Sequence, residues 1–464
     1  MLLNFVISYV IPLVIILTGI FCFIWFKKRK YLTYFLIFIL FLLIYSASNL
    51  SNIDRPSVFN HYAYLADALN HGRAYVDSTS IVHDVARYKG KIYICHNPLP
   101  AVLMMPFVLI YGTQFNDILF TIILGALNCS LVFSMILRLN NVLKKFKFSR
   151  QFAFFLTILF GVGTVHWYVA ARGTSWHTAN ITALFFLLLA INEALGKRRY
   201  LLMGIFAGLA VTARPSVFWA FPFFVTLGVS DFLLKKKIKE FFLQMTIYVL
   251  PYVVLGILTG LWNYIRFGNP LDFGFAYLNH APNLKEDLKN YGTLNLHFLP
   301  INMKIAFLEG FRKIKMFPFF ISKPEGMAIE YTSPFFLYFF APLIYWLLKP
   351  LRKSQSPIAR TLLKPFNENT PAFPFKADIV IGSIIAAVCT AFSLLLYFNT
   401  GWVQFGYRYV LDYIPFLLIL VALCMRGRIT WLGIVFAIIA FLVNFLGVIV
   451  YIHNELNIAF APLY

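Results

Sequence analysis

The residues whose types could do chemistry crowd into one segment, which runs from residue 51 to residue 100 between long apolar runs. Acids, bases and cations follow one another closely there: Asp54, Tyr64, Asp67, Asp77, His83, Asp84, Arg87, Lys89, Lys91 and His96. Asp54 comes directly after an apolar run, and a carboxylate at a membrane edge is partly desolvated, which makes it a better base. We therefore predict that Asp54 is a general base that deprotonates a hydroxyl group. The alternatives are an ion pair with Arg55 or a solvated position at the end of the run.

Four cations are candidate phosphate ligands: Arg408, Arg214, Lys91 and Arg266. Arg408 opens an apolar run among aromatic residues, and Arg214 stands before Pro215 between two short apolar runs. Cations stabilise the charge that develops on a departing phosphate. The alternatives are a snorkelling side chain for Arg408, a helix-end cation with a structural partner for Arg214, and solvated loop positions for the other two.

His61, His96 and Tyr64 are candidate ligands of sugar hydroxyls. The histidines lack His-x-x-x-His spacing, so we predict no metal site, and a solvated loop histidine is the alternative for each. Four of the five cysteines lie inside apolar runs and only Cys95 falls in a loop, which argues against a thiolate metal site. The sequence thus predicts neither a metal nor a cofactor.

The elements that must position these residues are membrane helices. Of the 464 residues, 60% are hydrophobic and 12% charged, and the mean hydropathy is +0.76, too apolar for a soluble protein of this size. The net charge of +22 comes from basic clusters in short gaps between the apolar runs, which is the positive-inside pattern of cytoplasmic loops. This placement predicts the lipid bilayer, and no nucleic acid, as a partner.

Apolar runs long enough to cross a bilayer predict twelve spans, near 3–26, 31–50, 116–137, 151–170, 178–195, 200–216, 217–234, 241–262, 333–349, 378–398, 409–425 and 429–452. The apolar segment 98–112 is short and contains three prolines, so we predict an interfacial helix there. Both termini are then outside, with external segments at 51–115 and 263–332 and a basic cytoplasmic loop at 350–377. The chain, 1–464, is predicted to be one all-α membrane domain.

The first external segment opens with an amphipathic helix, predicted from Asn60 to His71 with Gly72 after its end. Three motifs stand in this segment: Asp54, the stretch Tyr62-Ala63-Tyr64-Leu65-Ala66-Asp67-Ala68-Leu69-Asn70-His71-Gly72-Arg73, and Asn97-Pro98-Leu99-Pro100. Together they resemble the first external loop of GT-C glycosyltransferases, in the branch of protein O-mannosyltransferases and lipid A aminoarabinose transferases. Shorter likenesses lie at 212–215, 263–270 and 401–409.

The chain departs from the aminoarabinose transferases in three respects. A further span precedes the loop, Arg55 stands where a second acid is usual, and we expect no large carboxy-terminal soluble domain. Paired metal-binding carboxylates are not evident either. These departures leave the sugar and the acceptor open.

The resemblance implies an enzyme of cell-envelope glycosylation that transfers a hexosyl or pentosyl group from a polyprenyl-phosphate donor to a hydroxyl of a glycan, lipid or protein outside the cytoplasm. Because phosphate is a good leaving group, one carboxylate and several cations suffice for direct displacement with inversion, whereas retention favours two close carboxylates. The alternative is a transporter (a flippase) of lipid-linked glycans, which needs charges along a path near the span centres. The predicted span centres are nearly free of charge, which favours the enzyme.

Overall fold

A computed structural model describes residues 30–81, 83–143, 147–279, 282–315, 319–340, 377–401 and 403–459, which are mostly helical. The α-helices are α1 (Lys30–Ser48), α2 (His61–Asn70), α3 (Leu99–Tyr111), α4 (Asp117–Arg138), α5 (Arg150–Val162), α6 (His166–Arg172), α7 (Ser175–Ala194), α8 (Tyr200–Ala213), α9 (Phe221–Asp231), α10 (Ile238–Phe267), α11 (Pro282–Tyr291), α12 (Leu299–Phe307), α13 (Ile329–Thr332), α14 (Ala377–Leu395), α15 (Ile414–Met425) and α16 (Trp431–Ala459). Two short antiparallel hairpins accompany them, β1 (Val85–Tyr88) with β2 (Lys91–Ile94) and β3 (Phe311–Lys313) with β4 (Phe320–Ser322).

Seven helical segments of the described ranges are long and apolar enough to cross a membrane: Tyr31–Ser48, Asp117–Asn141, Ser175–Ala194, Pro215–Lys235, Ile238–Phe267, Ala377–Leu395 and Trp431–Ile452. Helices α5 and α6 pass the same test together but are bent by 58° at their break, as in a broken span or a re-entrant loop. These helices confirm the prediction of a helical, multi-pass membrane protein.

The other predicted spans do not match a described helix that is long enough to cross a membrane. Spans 200–216 and 409–425 fall on α8 and α15, whose 14 and 12 residues are fewer than the roughly 20 needed to cross a bilayer. Span 3–26, most of 333–349 and nearly all of the loop 350–377 lie outside the described residues. The number twelve therefore stays a prediction.

The segment 51–115, which the sequence predicts to be external, forms the helix that its spacing predicted. Helix α2 buries Tyr62, Leu65 and Ala66, and the chain reverses at Gly72 with a φ of +67°. The apolar segment 98–112 contains the short helix α3, which packs against α2. A largely buried helix and a short apolar one thus pack together in this segment.

The hairpin β1–β2 was not predicted. Its strands pair from Val85 opposite Ile94 to Tyr88 opposite Lys91, around a two-residue turn. Lys89 and Gly90 in that turn have φ values of 47° and 75°, as in a turn of type I′, which suits the twist of a hairpin. The hairpin carries the loop residues before and after it to fixed places above the helices.

Close packing of α8 against α10 depends on Gly204. A Cβ at this position would lie 2.1 Å from the Tyr248 carbonyl oxygen of α10, so the two backbones approach here as no other residue type would allow. Gly256, also on α10, has nothing within 4 Å of a Cβ. The two glycines are therefore a matched pair for measuring the effect of packing.

We expect Gly204→Ala to lower the stability of the protein by about 1–3 kcal/mol, because the added methyl group forces α8 away from α10. Gly256→Ala should leave stability unchanged or raise it by up to about 1 kcal/mol, since alanine favours a helix over glycine. Thermal unfolding of the purified variants in detergent measures both effects. Equal melting temperatures for the two variants would contradict the close approach of these helices.

Candidate functional site

A buried ion pair between Asp412 and Arg214 lies at the centre of the candidate site. The Arg214 Nε–H lies 2.8 and 2.9 Å from the two carboxylate oxygens of Asp412. Ser216 donates its hydroxyl to the same carboxylate at 2.6 Å, and the Asn180 side-chain amide donates at 3.2 Å. Arg214 is extended because it precedes Pro215, and this break after α8 turns its side chain toward the carboxylate.

Arg408 lies beside this pair on the short 3-10 helix Arg408–Asp412. Its side chain is buried, with 6% of the residue exposed, and its Nε has no hydrogen-bond partner among the described residues. The guanidinium carbons of Arg408 and Arg214 lie 5.4 and 5.3 Å from the ring centroid of Tyr409. Asp412 neutralises Arg214, whereas no carboxylate of the described residues pairs with Arg408. The centre thus carries a buried positive charge that favours an anion.

The loop before β1 brings a second group of polar side chains to the amino-terminal end of α7. The Asp84 side chain is 17% exposed, and its Oδ2 accepts a hydrogen bond of 3.0 Å from the Trp176 indole N–H. His83 Nε2 lies 3.7 Å from Asp84 Oδ1, and His61 Nε2 donates to the His83 carbonyl oxygen at 2.8 Å. Asp84 itself has a φ of +55°, a left-handed conformation that aspartate adopts more readily than most residues.

The arginine pair (Arg214 and Arg408) and the loop group (His61, His83, Asp84, His96 and Trp176) belong to one site. Tyr62 is buried, and Arg214 lies close enough to lower the pKa of its phenol, against the larger effect of burial, which raises it. Burial likewise raises the pKa of Tyr397, with Arg214 and Arg408 opposing and Asp84 reinforcing the shift. Tyr397 is therefore within electrostatic range of both arginines and of the loop carboxylate.

His61 and His96 are neutral. Their ring centroids are 4.8 Å apart, and burial lowers the pKa of each. The pKa of His96 falls to about 3, because burial and the neighbouring His61 outweigh the opposing effect of Asp84. His96 Nδ1 is buried and has no partner in the described part of the chain, which leaves a hydrogen-bonding atom for a ligand.

His177 completes the polar lining near Arg408. Its Nδ1 is hydrogen-bonded to the Thr174 hydroxyl at 2.6 Å, while its Nε2 is buried and no described residue is its partner. Arg408 lies within electrostatic range of the imidazole. Tyr407 also has a buried hydroxyl that lacks a partner. Unpaired polar atoms in one buried region are typical of a binding site.

An apolar groove of about 740 Å³ lies along α8 and α10; we call it the tail groove. Its walls come from α8, α10 and the loop after α10, and include Gly208, Val211, Tyr252, Leu255, Gly256, Ile257, Gly260, Leu261, Tyr264, Pro270, Leu271 and Phe273. Thr212 and Pro215, which flank Arg214, also line it. Asn97 joins the lining and donates to the Ala213 carbonyl oxygen at 3.4 Å. The groove thus adjoins the chain segment that carries Arg214.

The structure places the other predicted residues as follows. Asp54 lies in an exposed turn and has no hydrogen bond or ion pair to a described residue, and Arg55 bonds to Ser51 and Asn52 instead. The Lys91 ammonium stands 4.1 Å from the ring centroid of Tyr75 on the exposed side of β2. None of these contacts joins Asp54 or Lys91 to the arginine pair.

Arg266 and Tyr64 contact the loop rather than the arginine pair. Arg266 is buried, donates to the Ile94 carbonyl oxygen at 3.1 Å and to the Asn263 side chain at 2.7 Å, and thereby ties β2 to α10. The Tyr64 hydroxyl lies 3.2 Å from the Ser80 hydroxyl. Of the predicted ligands, the structure brings together Arg214, Arg408, His61 and His96.

Two site residues were missed because of where they stand in the sequence. Asp412 lies inside the predicted span 409–425, and a carboxylate in an apolar run was a signal that it has a buried cationic partner. Asp84 was one acid among several in the loop, and the Lys89-Gly90 turn was the available sign that a hairpin holds it in place. Within the described ranges, no group of three metal-ligating side chains comes together.

Comparison of the chain with protein-family models, with curated proteins and with solved structures finds no match. The argument for a function therefore depends on the geometry of the site.

We expect Asp412→Asn to destabilise the protein by about 3–5 kcal/mol, because it leaves the buried Arg214 without its counter-charge. Adding Arg214→Gln to this variant should recover part of the loss, since both charges are then absent. Thermal unfolding in detergent measures the change, with Glu286→Gln on the exposed side of α11 as the control. A melting temperature equal to that of the control would show that the pair does not stabilise the fold.

Acidic pH should destabilise the protein through His96. Its pKa is about 3 in the folded state but about 6.5 when unfolded, so below pH 6.5 the unfolded chain binds the additional proton. Stability is then lost by about 1.4 kcal/mol for each pH unit between 6.5 and 3. The melting temperature of His96→Asn should fall less steeply from pH 7 to pH 5 than that of the wild type. Parallel curves would contradict a neutral, buried His96.

Proposed function

We propose that the protein is a membrane glycosyltransferase of the GT-C type, which transfers a sugar from a polyprenyl-phosphate donor to an acceptor hydroxyl on the non-cytoplasmic face. The observation that carries the proposal is the buried positive charge of Arg408, which no described carboxylate neutralises, together with an apolar groove lined by Thr212 and Pro215 on either side of Arg214 in the chain. A lipid phosphate has an anionic headgroup that is complementary to the buried charge and an apolar tail that is complementary to the groove. Twelve spans and the external position of segments 51–115 and 263–332 belong to this proposal.

The tail groove accounts for the lipid part of the donor. It is lined mainly by apolar side chains and by glycines of α8 and α10, so an isoprenoid chain meets no unsatisfied polar surface along it. We expect a chain that lies there to bring its phosphate toward Arg214 and Arg408, which lie on the same tyrosine ring, Tyr409. Both cations then stabilise the negative charge of the leaving group. Asn97, which also lines the groove, adds an amide donor.

The reaction is a single displacement. The acceptor oxygen forms a bond to the anomeric carbon while the bond from that carbon to the phosphate oxygen breaks, and the phosphate departs with the electron pair. The hydroxyl proton passes to a carboxylate. Arg214 and Arg408 stabilise the leaving phosphate, and the configuration at the anomeric carbon inverts.

We propose Asp84 as the carboxylate that accepts the proton. Asp84 is the loop acid that lies within electrostatic range of Tyr397 together with both arginines, and Trp176 holds its side chain in place. Asp54, the base predicted from the sequence, lies in an exposed turn instead. A base must reach the reacting hydroxyl to within a hydrogen bond, so position favours Asp84.

The neutral histidines and the indole fit the sugar. A neutral imidazole both donates and accepts hydrogen bonds, so His61 and His96 can hold hydroxyl groups without adding charge. His96 has an unpartnered Nδ1 for this purpose. The Trp176 ring, whose centroid lies 5.9 Å from that of His61 and 6.2 Å from that of His96, supplies an apolar surface for the sugar ring.

The test uses purified protein in lipid vesicles with polyprenyl-phosphate-linked sugars and an acceptor extract, and it measures released polyprenyl phosphate. Arg408→Gln should lower the rate about 10²- to 10³-fold, as expected for a lost group that stabilises the leaving charge. Asp84→Asn should lower it about 10²- to 10⁴-fold through loss of the base. Asp54→Asn and Lys91→Gln should keep nearly the wild-type rate.

Three other outcomes would decide between the alternatives. Loss of activity in Asp54→Asn but not in Asp84→Asn would return the role of base to Asp54. Full activity of Arg408→Gln would remove the phosphate site. A wild-type protein that moves the carrier lipid between leaflets without cleaving it would be a transporter.

A further inference from the structure

A second apolar groove lies on a part of the bundle that the tail groove does not touch. It has a volume of about 310 Å³, within the range of small-molecule sites, and we call it the hairpin groove. Its lining comes from strands β3 and β4, from Phe405 and from the last turns of the α16 span: Phe311, Phe320, Ile321, Ser322, Phe405, Leu446, Gly447, Val450 and Tyr451. The two grooves share no lining residue.

The hairpin groove opens onto a surface of the kind that faces lipid. Ile438, Leu442 and Leu446 recur every four residues on one side of α16, and 55%, 51% and 38% of these residues is exposed. Leu446 belongs to this stripe and also to the groove. Phe311 and Phe320, at the edge of the hairpin, are exposed as well. An apolar chain that diffuses along the stripe within the bilayer therefore reaches the groove sideways.

A cation lies on the same face of the hairpin as three residues that line the groove. Lys313 pairs across the hairpin with Phe320, and Phe311 pairs with Ser322. Because side chains alternate along a strand, all four lie on one face of the hairpin, the face that contains the groove-lining Phe311, Phe320 and Ser322. Lys313 is exposed.

The surrounding segment is strongly basic. Between residues 304 and 323 the sequence has five cations and one acid, and that acid, Glu309, is paired with Lys323 and Lys304. A positively charged rim beside an apolar groove is complementary to an anionic lipid.

Aromatic contacts lead from the hairpin groove to the buried positive centre. The Phe405 ring, which lines the groove, lies 5.8 Å from Tyr451 and 6.0 Å from Tyr168 by ring centroids. Tyr168 in turn contacts His177 edge-on at 5.2 Å, and His177 lies within electrostatic range of Arg408. A chain of ring contacts through Tyr168 and His177 thus runs from the groove toward the centre.

We propose that the hairpin groove binds a lipid-anchored acceptor whose apolar chain lies against α16 and whose anionic headgroup meets Lys313. This inference builds on the proposed transfer reaction and narrows its acceptor to a membrane lipid with a phosphate-bearing headgroup. Donor and acceptor then enter from the bilayer through separate grooves and meet at the arginine centre.

The test measures binding first, without reference to catalysis. The full-length protein in lipid nanodiscs is irradiated with phosphatidylglycerol that carries a diazirine on its acyl chain, and mass spectrometry locates the label. We expect label on 311–322 and 446–451. Leu446→Trp, which fills the groove, should lower this labelling at least about tenfold, since overpacking excludes the chain. Ile438→Trp, on the same stripe two turns away, should not lower it.

The charge is tested with a neutral probe. Lys313→Gln should weaken labelling by the anionic lipid roughly twofold to fivefold, as expected for a partly exposed ion pair, and leave labelling by the matching diazirine diacylglycerol unchanged. Equal labelling by both lipids, or labelling that survives Leu446→Trp, would show an ordinary bilayer-facing surface and overturn the proposal.

An assay of sugar transfer then distinguishes a failure of the acceptor groove from a failure of the proposed glycosyltransferase activity. With a lipid-anchored acceptor, Leu446→Trp should raise the KM for the acceptor and leave the slow release of polyprenyl phosphate to water unchanged. Loss of both activities in Leu446→Trp, with normal folding, would place this groove at the donor instead. Groove labelling in a protein that cleaves no donor would refute the glycosyltransferase and leave a lipid site. Transfer to lipid acceptors that is unaffected by Leu446→Trp would refute the acceptor groove alone.

Discussion

The ion pair between Asp412 and Arg214 joins elements that are far apart in the chain, because α7, the end of α8 and the short helix Arg408–Asp412 meet at this carboxylate. Two oxygens of one buried carboxylate accept hydrogen bonds from Arg214, Ser216 and Asn180, so the end of α8, the start of the next segment and α7 meet at Asp412. Such a pair is stable in an apolar interior only when its remaining hydrogen-bonding capacity is also used. Arg408 stands on the same short helix as Asp412, and this pair therefore fixes the position of Arg408 as well.

The charges of the site are divided between compensated and uncompensated groups. Arg214 has its acid, whereas Arg408 is buried against Tyr409 without one among the described residues. Burial keeps the nearby histidines neutral, so they do not add to the positive charge that an anion would meet. The result is a single positive centre of defined position, which suits recognition of one anionic group better than a pathway along which charged molecules move.

Periodicity and composition were sufficient for the helices but not for the contacts between them. The apolar runs correctly predicted the long helices, and the spacing of Tyr62, Leu65 and Ala66 predicted α2. The loop 72–97 lacks a strong period, so the hairpin that positions Asp84 followed only from a two-residue turn signal. The role of Asp412 was missed because one carboxylate changes the mean hydropathy of an apolar window very little. Its contribution to stability depends on Arg214, a partner far away in the sequence.

The separation of 198 residues between Arg214 and Asp412 has a consequence for the synthesis of the protein. Membrane proteins are inserted as they are made, and α8 reaches the bilayer long before the segment that contains Asp412 has been translated. During that interval Arg214 has no acid beside it, because neither Arg408 nor Asp412 has yet been made. The polar centre is therefore assembled only after the segment that contains Asp412 has been made, and a product truncated before residue 412 leaves Arg214 without its acid.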